Sequence, residues 1–128
     1  MVSKFISKKL NWLKKNDHES YKYLKEKKIE LLRSNTLGPR IIARHNYRYY
    51  HEPPEIVKEK ILLAHDAGAE EVWHEIGHSK TAHALHDSGE PLKYVEAKGK
   101  LRRKFEEDAE KYASRKTKQY LIKNDIGR

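Results

Sequence analysis

WHEIGHSKTAHALH, Trp73 to His86, holds four of the chain's eight histidines. His74 and His78 stand four apart with Glu75 directly after the first, an H-E-x-x-H arrangement. On a helix, residues i and i+4 project from one face, so two imidazoles at this spacing can grip a single ion. Glu75, one residue on, can reach a water on that ion. Ile76 and Gly77 are uncharged, as a half-buried helix face requires. The stretch predicts a helix from about Ala69 to His86 that carries a metal centre.

The chain has no cysteine, which excludes disulfides and thiolate ligands. Any metal must be held by imidazole and carboxylate, a donor set that suits zinc, with one coordination position kept open for water. Zinc makes such a water acidic enough to attack at neutral pH, and Glu75 would take its proton as general base. A third ligand is needed. The metzincin pattern would place a histidine where Ala84 stands, so that class is excluded. His83 and His86 lie too far along the helix axis to complete the set, His86 by about 12 Å. They read as surface histidines or as groups that steady an oxyanion, a role also open to Tyr112. The stronger candidate is in KFEEDAEKYA, residues 104–113, where Glu106, Ala109, Glu110 and Ala113 share one helical face. Small Ala109 and Ala113 would let this helix approach the metal helix closely. Glu106 is then the third ligand, with Glu107 as its competitor. Glu110 could accept the free ring N–H of a bound histidine and fix its tautomer.

The rest of the chain is poor in apolar material. Of its 128 residues 37% are charged, and the mean hydropathy is −1.01. Such a chain forms one domain with a modest core, one that a metal, a ligand or a partner would reinforce. The formal charge of +9 favours acidic partners, and residues 1–33 carry ten Lys/Arg against four acids. No secretory segment or membrane span is visible, so the expectation is a cytoplasmic protein with no membrane role.

The predicted architecture is α+β and predominantly helical. Residues 1–36 read as a basic N-terminal helical pair and 37–128 as a zincin-like region. Phe5, Ile6, Leu10 and Leu13 recur at helical spacing. Ser20 caps a second helix with Tyr21, Leu24, Leu31 and Leu32 as its stripe. Ser34 to Gly38 reads as a loop. Around residues 40–50 the chain leans to a small hairpin turned at His45-Asn46, although Arg40, Arg44 and Arg48 at fourfold spacing also fit a helix. PEIVKEKILLAHDAG predicts a helix opened by Pro54 and stopped by Gly68. Residues 86–91 form a loop, and a long charged helix runs from Pro91 to about Lys123, weakened at Gly99.

HEIGH followed by a glutamate on a later helix resembles a gluzincin and, more narrowly, the ImmA/IrrE family of metallopeptidases. That family shows HELGH and then a segment like E-x-E-A-N-x-F-A. Here Glu106, Ala109 and Ala113 match its register, and Tyr112 stands for the aromatic. The resemblance spans residues 72–113 and implies a helical zinc peptidase with a small sheet, its zinc glutamate at Glu106. Glu110 replaces the family's Asn. The expected helix at 54–67 replaces the family's strand. Several members cut helix-turn-helix repressors of mobile elements, which makes a DNA-binding repressor a candidate substrate.

Two other readings stay open. A basic helical binding module for nucleic acid or an acidic protein would use the N-terminal lysines with Arg40, Arg44, Arg48, Arg102 and Arg103, interleaved with Tyr47, Tyr49 and Tyr50. Alternatively, a purely structural zinc would hold the helices of a small domain together.

Overall fold

The computed structural model describes residues 4–34, 43–51, 54–90 and 92–126. The chain divides into two compact units, Met1–Val72 and Trp73–Arg128. Helices dominate, with one small sheet, so the α+β class holds.

The first unit begins with helices α1 (Lys4–Asn16) and α2 (His18–Glu26). Ile6, Leu13 and Leu24 are buried, as the apolar stripe predicts. The cap of α2 is Asp17, not Ser20. The Asp17 carboxylate accepts the Ser20 N–H and the Ser20 hydroxyl, which satisfies a donor that the first turn leaves over. α2 also ends earlier than the leucine stripe suggests. Lys28 takes φ +55, a left-handed conformation that stops the helix at a position where glycine is usual.

Residues 29–33 then form strand β1 (Ile29–Arg33), followed by β2 (Ala43–His51) and β3 (Pro54–Leu63). Leu31 and Leu32 therefore belong to a strand. Leu31 pairs with Ile61 in a parallel β1–β3 ladder, and β2 pairs antiparallel with β3, giving the order β1-β3-β2. Strand rather than helix is correct for 43–51, but His45 and Asn46 sit within β2 opposite Ile61 and Lys60 and make no turn.

The largest correction is β3, which occupies the predicted helix at 54–67. Glu59, Ile61 and Leu63 face inward at period two and are all buried. A buried glutamate in that series hides the alternation from a hydropathy reading. Glu59 is held by His45, whose Nε2–H donates to Glu59 Oε2 at 2.6 Å, with the two side chains 1% and 2% exposed. Gly68 likewise does not stop a helix. It caps the start of α3 (Ala69–Asp87), where the Glu71 carboxylate accepts the Gly68 N–H at 2.9 Å, half of a capping box.

The second unit holds most of α3 together with α4 (Leu92–Val95) and α5 (Gly99–Ile126). The single helix expected from Pro91 is interrupted, and Gly99 at φ +58 supplies the left-handed residue at the break. Trp73, Ile76, Ala82, Tyr94, Phe105, Ala109 and Ala113 form its buried set. Trp73 stacks on Tyr120 at 5.0 Å and Tyr94 on Phe105 at 5.6 Å. No described helix is long and apolar enough to cross a membrane.

The buried His45–Glu59 pair makes a prediction. His45→Leu takes a close partner from a buried carboxylate and lowers the unfolding free energy by about 3 kcal/mol. Adding Glu59→Leu recovers a large share of that loss. Urea unfolding of the two variants measures both, and strictly additive losses would contradict the pairing.

Candidate metal centre

α3 is enclosed over its central turns. Val72, Trp73 and every residue from Glu75 to Ser79 are buried. Buried histidine and glutamate in such a segment are costly unless held by partners. What holds His78 is set by how closely α5 approaches. A Cβ on Gly77 would lie 2.9 Å from the Ala109 Cα, closer than side chains tolerate. Gly77 and Ala109 thus mark the crossing of two backbones, and Ala113 one turn on is fully buried. The pairing of α3 with the residue 104–113 helix is the one the small alanines predicted. Gly77's part in it was not anticipated from its being uncharged.

The crossing brings three side chains together. His74 Nε2 lies 3.1 Å from Glu106 Oε2, and His78 Nε2 lies 3.2 Å from Glu106 Oε1. One donor atom from each of His74, His78 and Glu106 falls within 4.8 Å of the others, and the three could hold a metal ion. Ligands about 2.0–2.1 Å from a tetrahedral ion stand about 3.3–3.4 Å apart. Each imidazole nitrogen stands near that distance from its own oxygen of Glu106.

The other nitrogen of His74 is also engaged. Its Nδ1–H donates to Glu110 Oε2 at 3.2 Å, which leaves Nε2 to face the group. Glu110 has the expected supporting position. Glu106, not Glu107, enters the group, and Glu107 is exposed. Glu75 is 6% exposed and sits three residues before His78, on the same side of α3. The Glu106 side chain is 46% exposed, so one side of the group is open to water.

Two further neighbours escaped the sequence reading. Tyr94 meets His78 edge-on, ring centroids 6.3 Å apart, and nothing in the sequence links them. Arg102 places its guanidinium 3.5 Å from Glu106 Oε1. The i,i+4 spacing is the available signal, although the basic pattern of the sequence points Arg102 to an anionic partner. Burial raises the Glu106 pKa, but His78, His74 and Arg102 together outweigh it and hold the carboxyl below its ordinary value.

The remaining candidates lie elsewhere. His83 and His86 are outside the group, and His86 Nδ1 lies 3.5 Å from Asp87. The Tyr112 ring takes the ammonium groups of Lys80 and Lys116 at 5.3 and 6.0 Å. Arg44 and Arg103 are exposed on β2 and α5. Arg48 is in β2, but its side chain, like those of Tyr47, Tyr49 and Tyr50, lies outside the described set, and Arg40 lies outside the described residues. No protein-family model, curated protein or solved structure matches the chain.

Two outcomes follow from the geometry. Gly→Ala in an ordinary helix interior stabilises by up to about 1 kcal/mol. Gly77→Ala instead destabilises by about 1–3 kcal/mol, because the obstructing atom is backbone and cannot swing aside. It also weakens metal affinity; chemical unfolding and a chelator competition read the two effects, and unchanged stability and affinity would refute the crossing. The second concerns acid. Protons compete with a metal for its ligands, and Glu106, held below its ordinary value, stays ionised into more acid solution than a free glutamate. Metal titration at falling pH therefore shows no added loss of affinity from Glu106 at the ordinary glutamate value. A further proton competing from that value onward would contradict it.

Proposed function

We propose that the chain is a zinc-dependent hydrolase, a metallopeptidase acting on a protein substrate. The observation that carries this reading is the convergence of His74 Nε2 and His78 Nε2 on the two oxygens of Glu106, with Glu110 fixing the outer nitrogen of His74. Two imidazoles and a carboxylate leave room for a fourth position, and the open side of Glu106 gives water and substrate a way in. Bound there, zinc would acidify a water and polarise a carbonyl.

The chain's own residues would divide the remaining work. Glu75 is the proton acceptor. One residue after His74 in a buried stretch of α3, it would take the proton of a water on the ion and return it to a leaving amine. Glu110 keeps His74 in the tautomer that presents Nε2. Arg102 balances negative charge at Glu106.

The resemblance to the ImmA/IrrE metallopeptidases supports the same reading. A strand, β3, precedes the metal helix where that family has one, which removes a departure that the sequence had suggested. On this basis a DNA-binding repressor is the substrate class to try first.

The test joins metal content to turnover. After exhaustive dialysis the protein retains one zinc, and His74→Ala retains none. Glu75→Gln keeps the zinc but loses hydrolysis of a labelled protein substrate by about 100-fold or more. Retention of full hydrolysis by Glu75→Gln would overturn the reading.

A further inference from the structure

We propose that α1 presents a binding face for single-stranded nucleic acid. The helix sequence, KFISKKLNWLKKN, contains five lysines and no acid. Ile6 and Leu13 are buried, so its apolar stripe is already used within the first unit. What remains outward is a second stripe. Phe5, Lys9, Trp12 and Asn16 recur at spacings of four, three and four and therefore share one side of the helix. Lys8 and Lys15, seven apart and both exposed, border that side, and Lys4 extends it.

This surface is more ordered than a solvated lysine run. The Phe5 ring gathers two cations, Lys9 Nζ at 5.2 Å and the Arg33 guanidinium of β1 at 5.7 Å. Two like charges drawn to one aromatic ring repel each other, and a phosphate between them would relieve that repulsion. Trp12 is 40% exposed among the lysines. An accessible indole beside cationic groups offers a stacking platform to a base and contacts to its phosphates. From Phe5 to Asn16 the stripe runs about 16 Å, room for a few nucleotides.

An anionic membrane surface is the rival partner. It binds amphipathic helices by accepting their apolar face, and in α1 that face is buried. A duplex would satisfy the lysines, but its stacked bases give Trp12 nothing to stack on. The observations therefore favour a single strand.

The test uses the full chain and a short fluorescein-labelled oligothymidylate at low salt. Binding raises the anisotropy and quenches the emission of exposed Trp12. Log affinity falls by about 0.7 per neutralised phosphate for each tenfold rise in salt. Replacing Lys8, Lys9 and Lys15 by Gln weakens binding at least tenfold and lowers the salt slope by about 2. The matching Arg replacements retain binding, which separates charge from folding. Trp12→Ala weakens binding at least about fivefold. Absence of binding, a duplex bound as tightly with no effect of Trp12→Ala, or binding to phosphatidylserine vesicles in place of the oligonucleotide would each overturn the proposal.

Discussion

The separation between α3 and α5 is fixed where Gly77 meets Ala109. Packed helices ordinarily stand about 8–10 Å apart, according to the side chains at the contact. With no side chain on residue 77 and a methyl on residue 109, these two sit at the close end of that scale. The consequence is chemical. Glutamate is short, and Glu106 spans from α5 to both imidazoles only because the backbones nearly touch. A larger residue at either position would part the donors and leave two histidines and a carboxylate as ordinary helix surface.

Within that frame the charges are arranged in sequence. Glu106 faces both histidines, His74 is held from its other side by Glu110, and Arg102 stands behind Glu106. Each group is favoured by its neighbour, so the set can stay assembled with or without an ion. This preorganisation matters for a small, highly charged chain, because little apolar burial is available to hold a site open. A cation arriving there would meet ligands already oriented.

The His74, His78 and Glu106 cluster was legible in the sequence because each of its two helices carries a local signal. The i,i+4 histidines, the Glu106–Glu110 pair and the small alanines all follow from helix geometry, and α3 starts at Ala69 and ends within one residue of the expected position. The sheet was much less legible. Ile29 to Leu32 and Ile56 to Leu63 have runs of aliphatic residues that fit either period. What settles them is non-local: Leu31 against Ile61 in a parallel ladder, and Glu59 made tolerable by His45, fourteen residues away in sequence. Lys28 at positive φ, a position where sequence rules expect glycine, concealed the end of α2 in the same way. The sheet of the first unit thus depends on long-range pairing that no local pattern announces.

α3 and α5 bring two imidazoles and one carboxylate together so that they could hold a single cation. X-ray absorption at the zinc edge of the zinc-loaded protein decides whether they do. Zinc held by these groups gives a four-coordinate shell of light donors at about 2.0–2.1 Å with the multiple-scattering pattern of two imidazoles, reduced to one in His78→Ala. An all-oxygen, six-coordinate shell without imidazole scattering would contradict it.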